Sequence, residues 1–545
     1  MVRRYRLFTY CLFITAALSG LGAVCLAQGV AGFPESETQF GVIPDSLLQM
    51  GTYEPDPSAP FIYALKELEV SFGEDERSIV ALLDYHVRVK VFDGSARQAS
   101  LVAIPYYFED QIEAVEQIRA VTHTSSGRRI PLEEQAIRTI NINSRYNVIE
   151  FSMPAVEDGA VLEYSYRIRR RYIEELPDFF LAHQVPTSLA RVSITCPPYL
   201  RYSAVPENFE GTLHHEEQRI DTSTVAKIFT VTQPEPLLKE TWAAYRVPAV
   251  EEEAYISSLD DYRGKLKFQL SEFGVPRQKL ENSWEFVVAQ LRRNQNILEY
   301  IAGNTRAEKI GRSVRDKLSN PVAVQDSLFR YMQAHVNYSG IKSPYSKLPD
   351  TTVLDGRPAD QAAINQTLIA MLRGAGIEAW PVLISTREFG QINKSFPSFF
   401  QFNGQLAWSR IGGEDYFMDA SFPHSQPNLI PVDTYNESGL LLQPESFSWI
   451  DISPPKSLFA IDITVDARLD PQGTVSGEIA TASSGYPAQI IRRQAAGGEP
   501  PESILSQVVF DGYTNVTFSG VELSDVSNYE QPVKIKAEFR LEDYA

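Results

Sequence analysis

Two periodicities alternate along this chain. In Tyr85-His86-Val87-Arg88-Val89-Lys90-Val91 every second residue is apolar, the spacing of a strand with one buried and one polar face. Leu162-Glu163-Tyr164-Ser165-Tyr166-Arg167-Ile168-Arg169 repeats the pattern, and turn signals at Asp93-Gly94 and Asp158-Gly159 separate such runs. Residues 61–265 are therefore expected to form a two-sheet β-sandwich. Near Asn282 the period changes. Trp284, Val287, Val288 and Leu291 recur at helical spacing, as do Val324, Leu328, Tyr331 and Met332. A third helix over 362–373 carries Ile364, Leu368, Ile369 and Leu372 on one face and is stopped by Gly374 and Gly376. Strand-like runs follow at 379–385, 405–409 and 416–419, so residues 280–445 read as an α+β domain. From 456 to 545 the chain is β-like again. Leu469-Asp470-Pro471-Gln472-Gly473 marks a turn, and Val533, Ile535, Ala537, Phe539 and Leu541 alternate with polar residues. Only a few residues follow that strand, so this C-terminal β domain is expected to be incomplete.

Composition adds the class. A chain of 545 residues is too long for one core and suits several domains. Its 43% hydrophobic and 11% aromatic content exclude a disordered chain, and 29 Phe with 26 Tyr against 6 Met favour sheets. Arg3, Arg4 and Arg6 precede an uncharged apolar run over 7–26 and small residues, which reads as a signal peptide over 1–27 cleaved after Ala27. Two alternatives stay open. The run approaches the roughly 20 apolar residues of a membrane anchor, and Cys25 is a candidate lipoprotein acceptor, although Val24 is large for that role. Residues 28–60, Pro- and acid-rich toward their end, form a lead-in segment. The expected location is periplasmic or extracellular, touching membrane only through an uncleaved N-terminal segment. A formal charge of −19 argues against nucleic acid and anionic lipid as partners. Of Cys11, Cys25 and Cys196 only the last lies outside the signal, so the mature chain has no internal disulfide.

Several separated motifs carry a resemblance. Phe40-Gly41-Val42-Ile43, Tyr53-Glu54-Pro55-Asp56-Pro57-Ser58-Ala59 and Phe151-Ser152-Met153-Pro154-Ala155-Val156-Glu157-Asp158-Gly159 resemble secreted bacterial proteins of domain-of-unknown-function family 3857. In such proteins the β domain precedes a transglutaminase-like core of papain-type fold. Here that core resembles Val336-Asn337-Tyr338-Ser339-Gly340-Ile341, Gly356-Arg357-Pro358-Ala359-Asp360, Phe402-Asn403-Gly404 and Met418-Asp419-Ala420-Ser421. In similar proteins with an intact site, a Gly-Asp-Cys-Lys-Asp run places a cysteine at a helix start. A Phe-Asn-His run supplies the base, and a Leu-Asp-Ala run the aspartate that orients it. The helix terminus and an adjacent imidazolium lower the thiol pKa, and the carboxylate holds the ring.

On this match Pro358 stands at the cysteine position and Gly404 at the histidine position, leaving only Asp419. Proline suits a first helical turn but offers no nucleophile, and glycine moves no proton. The resemblance thus implies a non-catalytic exported protein, using no cofactor and no metal, that binds or scaffolds a protein, peptide or envelope polymer. Asp360, Phe402, Asn403 and Asp419 are the candidates for lining its cleft. The alternative is an enzyme with a rebuilt non-cysteine site, a hydrolase or acyl transferase, near Asp419.

Other chemistry-bearing residues have plainer accounts. Cys196 lies in a strand-like run and reads as a small buried hydrophobe. His424 and Ser421 stand near Asp419 in sequence, but a loop histidine is ordinarily solvated and no nucleophile elbow surrounds Ser421. His214 and His215 are adjacent strand residues that point to opposite faces, which is poor geometry for a shared metal. Glu251-Glu252-Glu253 and Arg169-Arg170-Arg171 read as solvated charge runs, and Phe396, Phe399 and Phe400 as packing beneath a loop.

Overall fold

The alternating runs fold as strands, each burying its apolar side chains on one face. The computed structural model describes residues 26–27, 38–76, 78–220, 236–454 and 458–542. The chain forms two units, Met1–Leu280 and Glu281–Ala545. It is multidomain and mostly β, with several sheets and a set of helices. No helix among the described residues is long and apolar enough to cross a membrane.

The first unit is built on a nine-stranded sheet. Its strands are β1 (Leu26–Ala27), β2 (Phe61–Glu74), β3 (Ile79–Val91), β4 (Glu113–His123), β5 (Arg129–Pro131), β6 (Val161–Arg170), β7 (Thr187–Cys196), β8 (Leu213–Ile220) and β9 (Leu237–Val247). Their order across the sheet is β1-β8-β9-β7-β2-β3-β6-β4-β5. Leu26 and Ala27, the last residues of the expected signal, pair in parallel with β8; the rest of that segment lies outside the described residues. One face of the sheet is apolar. Leu83, Val87, Leu162, Val192 and Trp242 pack there in one cluster with Phe151 and Phe268, which belong to smaller sheets of three and four strands.

The opposite face is polar, and register sets its pattern. Arg191, Glu67, His86, Ser165 and Arg119 stand side by side in one cross-strand row over β7, β2, β3, β6 and β4. Thr241, Ser193, Glu69, Asp84 and Arg167 form the next row. Opposite charges directly across a sheet attract, and here they meet. The Arg167 guanidinium donates both Nε and Nη2 to Asp84 at 2.7 Å. Arg191 Nε donates to Glu67 at 2.7 Å.

Part of this polar face is buried, because residues 38–48 lie across it. Gly41 N–H donates to Glu163 Oε2 at 2.8 Å, Arg88 Nη2 to the Gln39 carbonyl at 2.6 Å, and Lys90 Nζ to the Leu48 carbonyl at 3.0 Å. The middle of the expected lead-in segment is thus an integral layer of the first unit. Glu163 is fully buried and is met by Arg88 Nε at 2.8 Å, His86 Nε2 at 2.9 Å and His123 Nε2 at 3.3 Å. Burial alone would raise its pKa. The hydrogen bonds from His86 and Arg88 and the Arg88 charge outweigh that and hold it at about 2.

In the second unit, helices α1 (Trp284–Arg293), α2 (Thr305–Arg315), α3 (Pro321–His335) and α4 (Gln361–Gly374) precede a five-stranded antiparallel sheet. Its strands are β10 (Glu378–Ile384), β11 (Gly404–Ile411), β12 (Glu414–Met418), β13 (Ser438–Leu442) and β14 (Phe447–Asp451), ordered β12-β11-β10-β13-β14. Helix α4 is buried all round from Gln361 to Leu372. A helix apolar on most sides belongs in the middle of a core. It packs on β10 and β11 and on α2. Where α2 and α4 meet, a Cβ on Gly311 would fall 1.9 Å from the Met371 carbonyl oxygen, and one on Gly374 2.3 Å from that of Glu308. The two helices touch through backbone.

Residues 456–545 differ from the all-β expectation. A four-stranded sheet, β15 (Phe459–Leu469), β16 (Val475–Gly485), β17 (Val516–Ser524) and β18 (Val533–Leu541), runs in the order β15-β16-β18-β17. Two helices, α5 (Tyr486–Ala496) and α6 (Pro501–Val509), cover one face through Ile491, Ile504 and Leu505. Each has proline in its first turn, a start signal that the strand periodicity on either side overshadowed.

Glu163 gives the first test. Glu163→Gln removes the buried carboxylate that Arg88 donates to, leaving His86 only Glu67 at 3.7 Å, and should cost about 3 kcal/mol, or roughly 6–12 °C in melting temperature. A depressed carboxylate contributes its full stability above its unfolded pKa and loses it as pH falls. The deficit of the variant should therefore shrink as pH drops from about 4.3 toward 2. Thermal unfolding of both proteins across that window checks this, and equal melting temperatures at pH 7 would contradict it.

Candidate functional site

The start of α4 fixes the site. Asp360 is its N-cap: Oδ1 accepts from Ala363 N–H at 2.9 Å, and Oδ2 accepts from Ser346 Oγ at 3.0 Å. The first helical residue is therefore Gln361. Pro358 does not occupy the helix start, as the motif match had it; it is exposed in the preceding coil. The correction has a plain cause. The match was counted from Gly356, whereas an aspartate whose carboxylate satisfies an orphan amide decides where a helix begins.

Gln361 faces Asp419. Its Nε2 donates to Asp419 Oδ2 at 2.7 Å, while its Oε1 accepts from Gln405 N–H at 3.3 Å. Asn365, one turn further along α4, donates Nδ2 to Asp419 Oδ1 at 3.2 Å and to the Gln405 carbonyl at 2.8 Å. Its Oδ1 accepts from Ala420 N–H at 2.9 Å. Ser421 closes the ring, with N–H and Oγ donating to Asp419 Oδ1 at 3.0 and 2.6 Å. Asp419 is 1% exposed, and its named partners are amides and a hydroxyl rather than a cation. Burial therefore raises its pKa, against the lowering effect of Ser421, Gln361 and Asn365.

Gly404 begins β11 beside this ring. A Cβ there would stand 3.0 Å from Gln361 Oε1 and 3.1 Å from Ile384 Cγ1. The glutamine amide fills the space that a larger side chain at 404 would need.

The remaining expected residues have structural work. Asn403 pairs with Thr386, accepting from its N–H and donating to its Oγ1, both at 2.8 Å. Phe402 is buried in an apolar cluster with Trp284, Leu440 and Leu442. Asp360 caps α4. Of the four proposed lining residues, only Asp419 belongs to the polar ring, which gains Gln361, Asn365 and Gln405. Phe396 is buried, and Phe399 packs on Tyr345 and Phe402.

Alternative nucleophiles and bases stand elsewhere. His424 Nδ1 lies 3.1 Å from the Tyr529 hydroxyl, and burial together with Arg492, Arg330 and Arg493 lowers its pKa. Cys196 is buried in the first unit's core, where burial pushes its thiol up to about 12. His215 stacks on Trp242, and among the described residues no cluster of three metal-capable side chains exists. The arginines at 169–171 are not simply solvated: they pair with Glu116, Glu113 and Asp75 in turn.

The ring predicts a pH effect of definite sign. A carboxyl whose folded pKa is raised favours the folded state below its unfolded value, and that advantage is lost as pH rises through the folded value. Asp419→Asn puts an amide N–H₂ among donors, at a cost of about 1–3 kcal/mol. The penalty should be greatest in acid and shrink as pH rises above about 3.9. Urea unfolding of the second unit at a series of pH values measures it, and a penalty that grew with pH would contradict the arrangement.

The comparisons with known proteins fit the first unit most directly. Residues 83–230 match the model of a Domain of Unknown Function with solved structure, DUF3857. No curated protein sequence matches the chain. Among solved structures, a "putative protease" from Parabacteroides distasonis ATCC 8503 is similar over 89% of this chain and 94% of its own, at 11% identity and a TM-score of 0.53. A "putative nutrient binding protein" from Legionella pneumophila aligns over 58% of this chain and 94% of its own at 8% identity, with a TM-score of 0.18, too low to bear on the fold. The Parabacteroides likeness is one of fold, and the segment over 83–230 carries the family match.

Proposed function

We propose that this is an exported, non-catalytic protein whose second unit carries a transglutaminase-like core of papain type, turned to binding or scaffolding a protein, peptide or envelope polymer. One observation carries the reading. The motif match has Pro358 where such a core would hold a thiolate, and beside Asp419 stands Gln361, whose amide reaches Gln405 and lies against Gly404. An amide is neither a nucleophile nor a base at neutral pH, and no cysteine follows Cys196 to replace it. The order of elements supports the assignment: a capped, buried helix followed by an antiparallel sheet whose strands carry Gly404 and lead into Asp419. The name "putative protease" belongs to the Parabacteroides protein. For this chain it is a pointer to lineage, because a fold hosts many functions and the site decides among them.

An acyl-transfer or hydrolytic reading rests on the Ser421–Asp419 hydrogen bond at 2.6 Å. Both groups are buried, no imidazole is among the named partners of Asp419, and the bond spans two residues as a local turn does. The purified full chain should give background rates both in incorporating a fluorescent amine into a glutamine-rich protein and in cleaving a mixed peptide library. A rate above background that survives repurification and disappears in Ser421→Ala or Asp419→Asn would overturn the non-catalytic reading.

A further inference from the structure

The polar face of the nine-stranded sheet holds an open cleft of about 890 Å³, within the roughly 300–1,000 Å³ of small-molecule sites. Its floor is the two cross-strand rows described above, and its rim includes Gln117, Glu217 and Gln218. Phe40 forms part of the wall, with the Arg119 guanidinium 4.6 Å from its ring centre.

Three features limit what such a cleft can hold. First, most of the charge on its floor is already paired: Arg191 with Glu67, Arg167 with Asp84 and His86 with Glu163. A charged ligand would have to break pairs that already exist. Second, the signs nearly balance. Five carboxylates line the cleft (Glu67, Glu69, Asp84, Glu216 and Glu217), against Arg119, Arg167, Arg191, Lys239 and His86. Third, donors and acceptors alternate at short range, in planar carboxylate, guanidinium and amide groups held by the sheet. A carboxylate has more lone pairs, and a guanidinium more N–H groups, than one partner uses. A run of hydroxyls, each able to donate and accept, meets that surface without displacing an ion pair, and a pyranose ring has a C–H face for Phe40.

A local distortion points to the same place. The pairing of β4 with β6 shifts between Glu116 and Arg119, and Gln117 within that bulge has φ of +56°. Non-glycine residues rarely adopt this conformation, and bulges re-aim side chains at sites of function. Gln117 is exposed on the cleft rim.

We propose that this cleft binds an uncharged oligosaccharide segment. The inference concerns the first unit and does not depend on how the second is read. The test is calorimetric titration of the full chain with maltohexaose, cellohexaose and chitohexaose, and with an alternating Lys-Glu hexapeptide. At least one hexasaccharide should bind and the peptide should not. Gln117→Gly combined with Gln218→Ala should weaken that saccharide about tenfold, the equivalent of one or two hydrogen bonds, with melting temperature unchanged. Absence of saccharide binding at millimolar concentration would overturn the proposal. So would binding of the peptide instead, or saccharide affinity that the double variant leaves intact.

Discussion

A charge taken out of water must be met by hydrogen bonds or by an opposite charge, or the fold does not keep it. Each unit has a deeply buried carboxylate that obeys this rule in its own way. Glu163 is met by cations and by a backbone amide from residues 38–48, so the layer that buries it also neutralises it. Asp419 is met only by neutral donors, of which Gln361 and Asn365 are themselves held by further bonds to the Gln405 backbone. The first arrangement lowers a pKa and the second raises one.

That difference bears on what each region offers to a ligand. Around Asp419 the hydrogen bonds close on themselves, and the side chains that make them are buried. On the sheet of the first unit the ion pairs are likewise satisfied, but they lie at the floor of an open cleft with spare donors and acceptors. A buried ring of closed hydrogen bonds and an open polar surface are different starting points for recognition.

Much of this was legible in the sequence. The alternation in 85–91 and 162–169 identified strands that pair with each other in register, and Val533 to Leu541 read correctly as a half-buried strand. The apolar face over 362–373 found α4 to within a residue at each end. What alternation could not show is which polar residues would be neighbours across strands, because register is set by partners far apart in the chain. Glu67, His86 and Ser165 become adjacent only once β2, β3 and β6 are placed. The motif match set Pro358 at the start of α4 for the opposite reason. The signal was local, Asp360 followed by a helix-forming run, but a longer motif anchored at Gly356 overrode it. The two C-terminal helices were lost between strong strand patterns on either side.

The contact of α2 with α4 through Gly311 and Gly374 leaves no space for even a methyl group. Helices in backbone contact cannot be adjusted by exchanging side chains at the crossing, so the height and azimuth of α4 are fixed by geometry rather than by packing preference. The residue at its start is therefore presented to Asp419 at a constant distance, whatever its chemistry. The backbone at position 361 is thus held by a frame that does not depend on the side chain it carries.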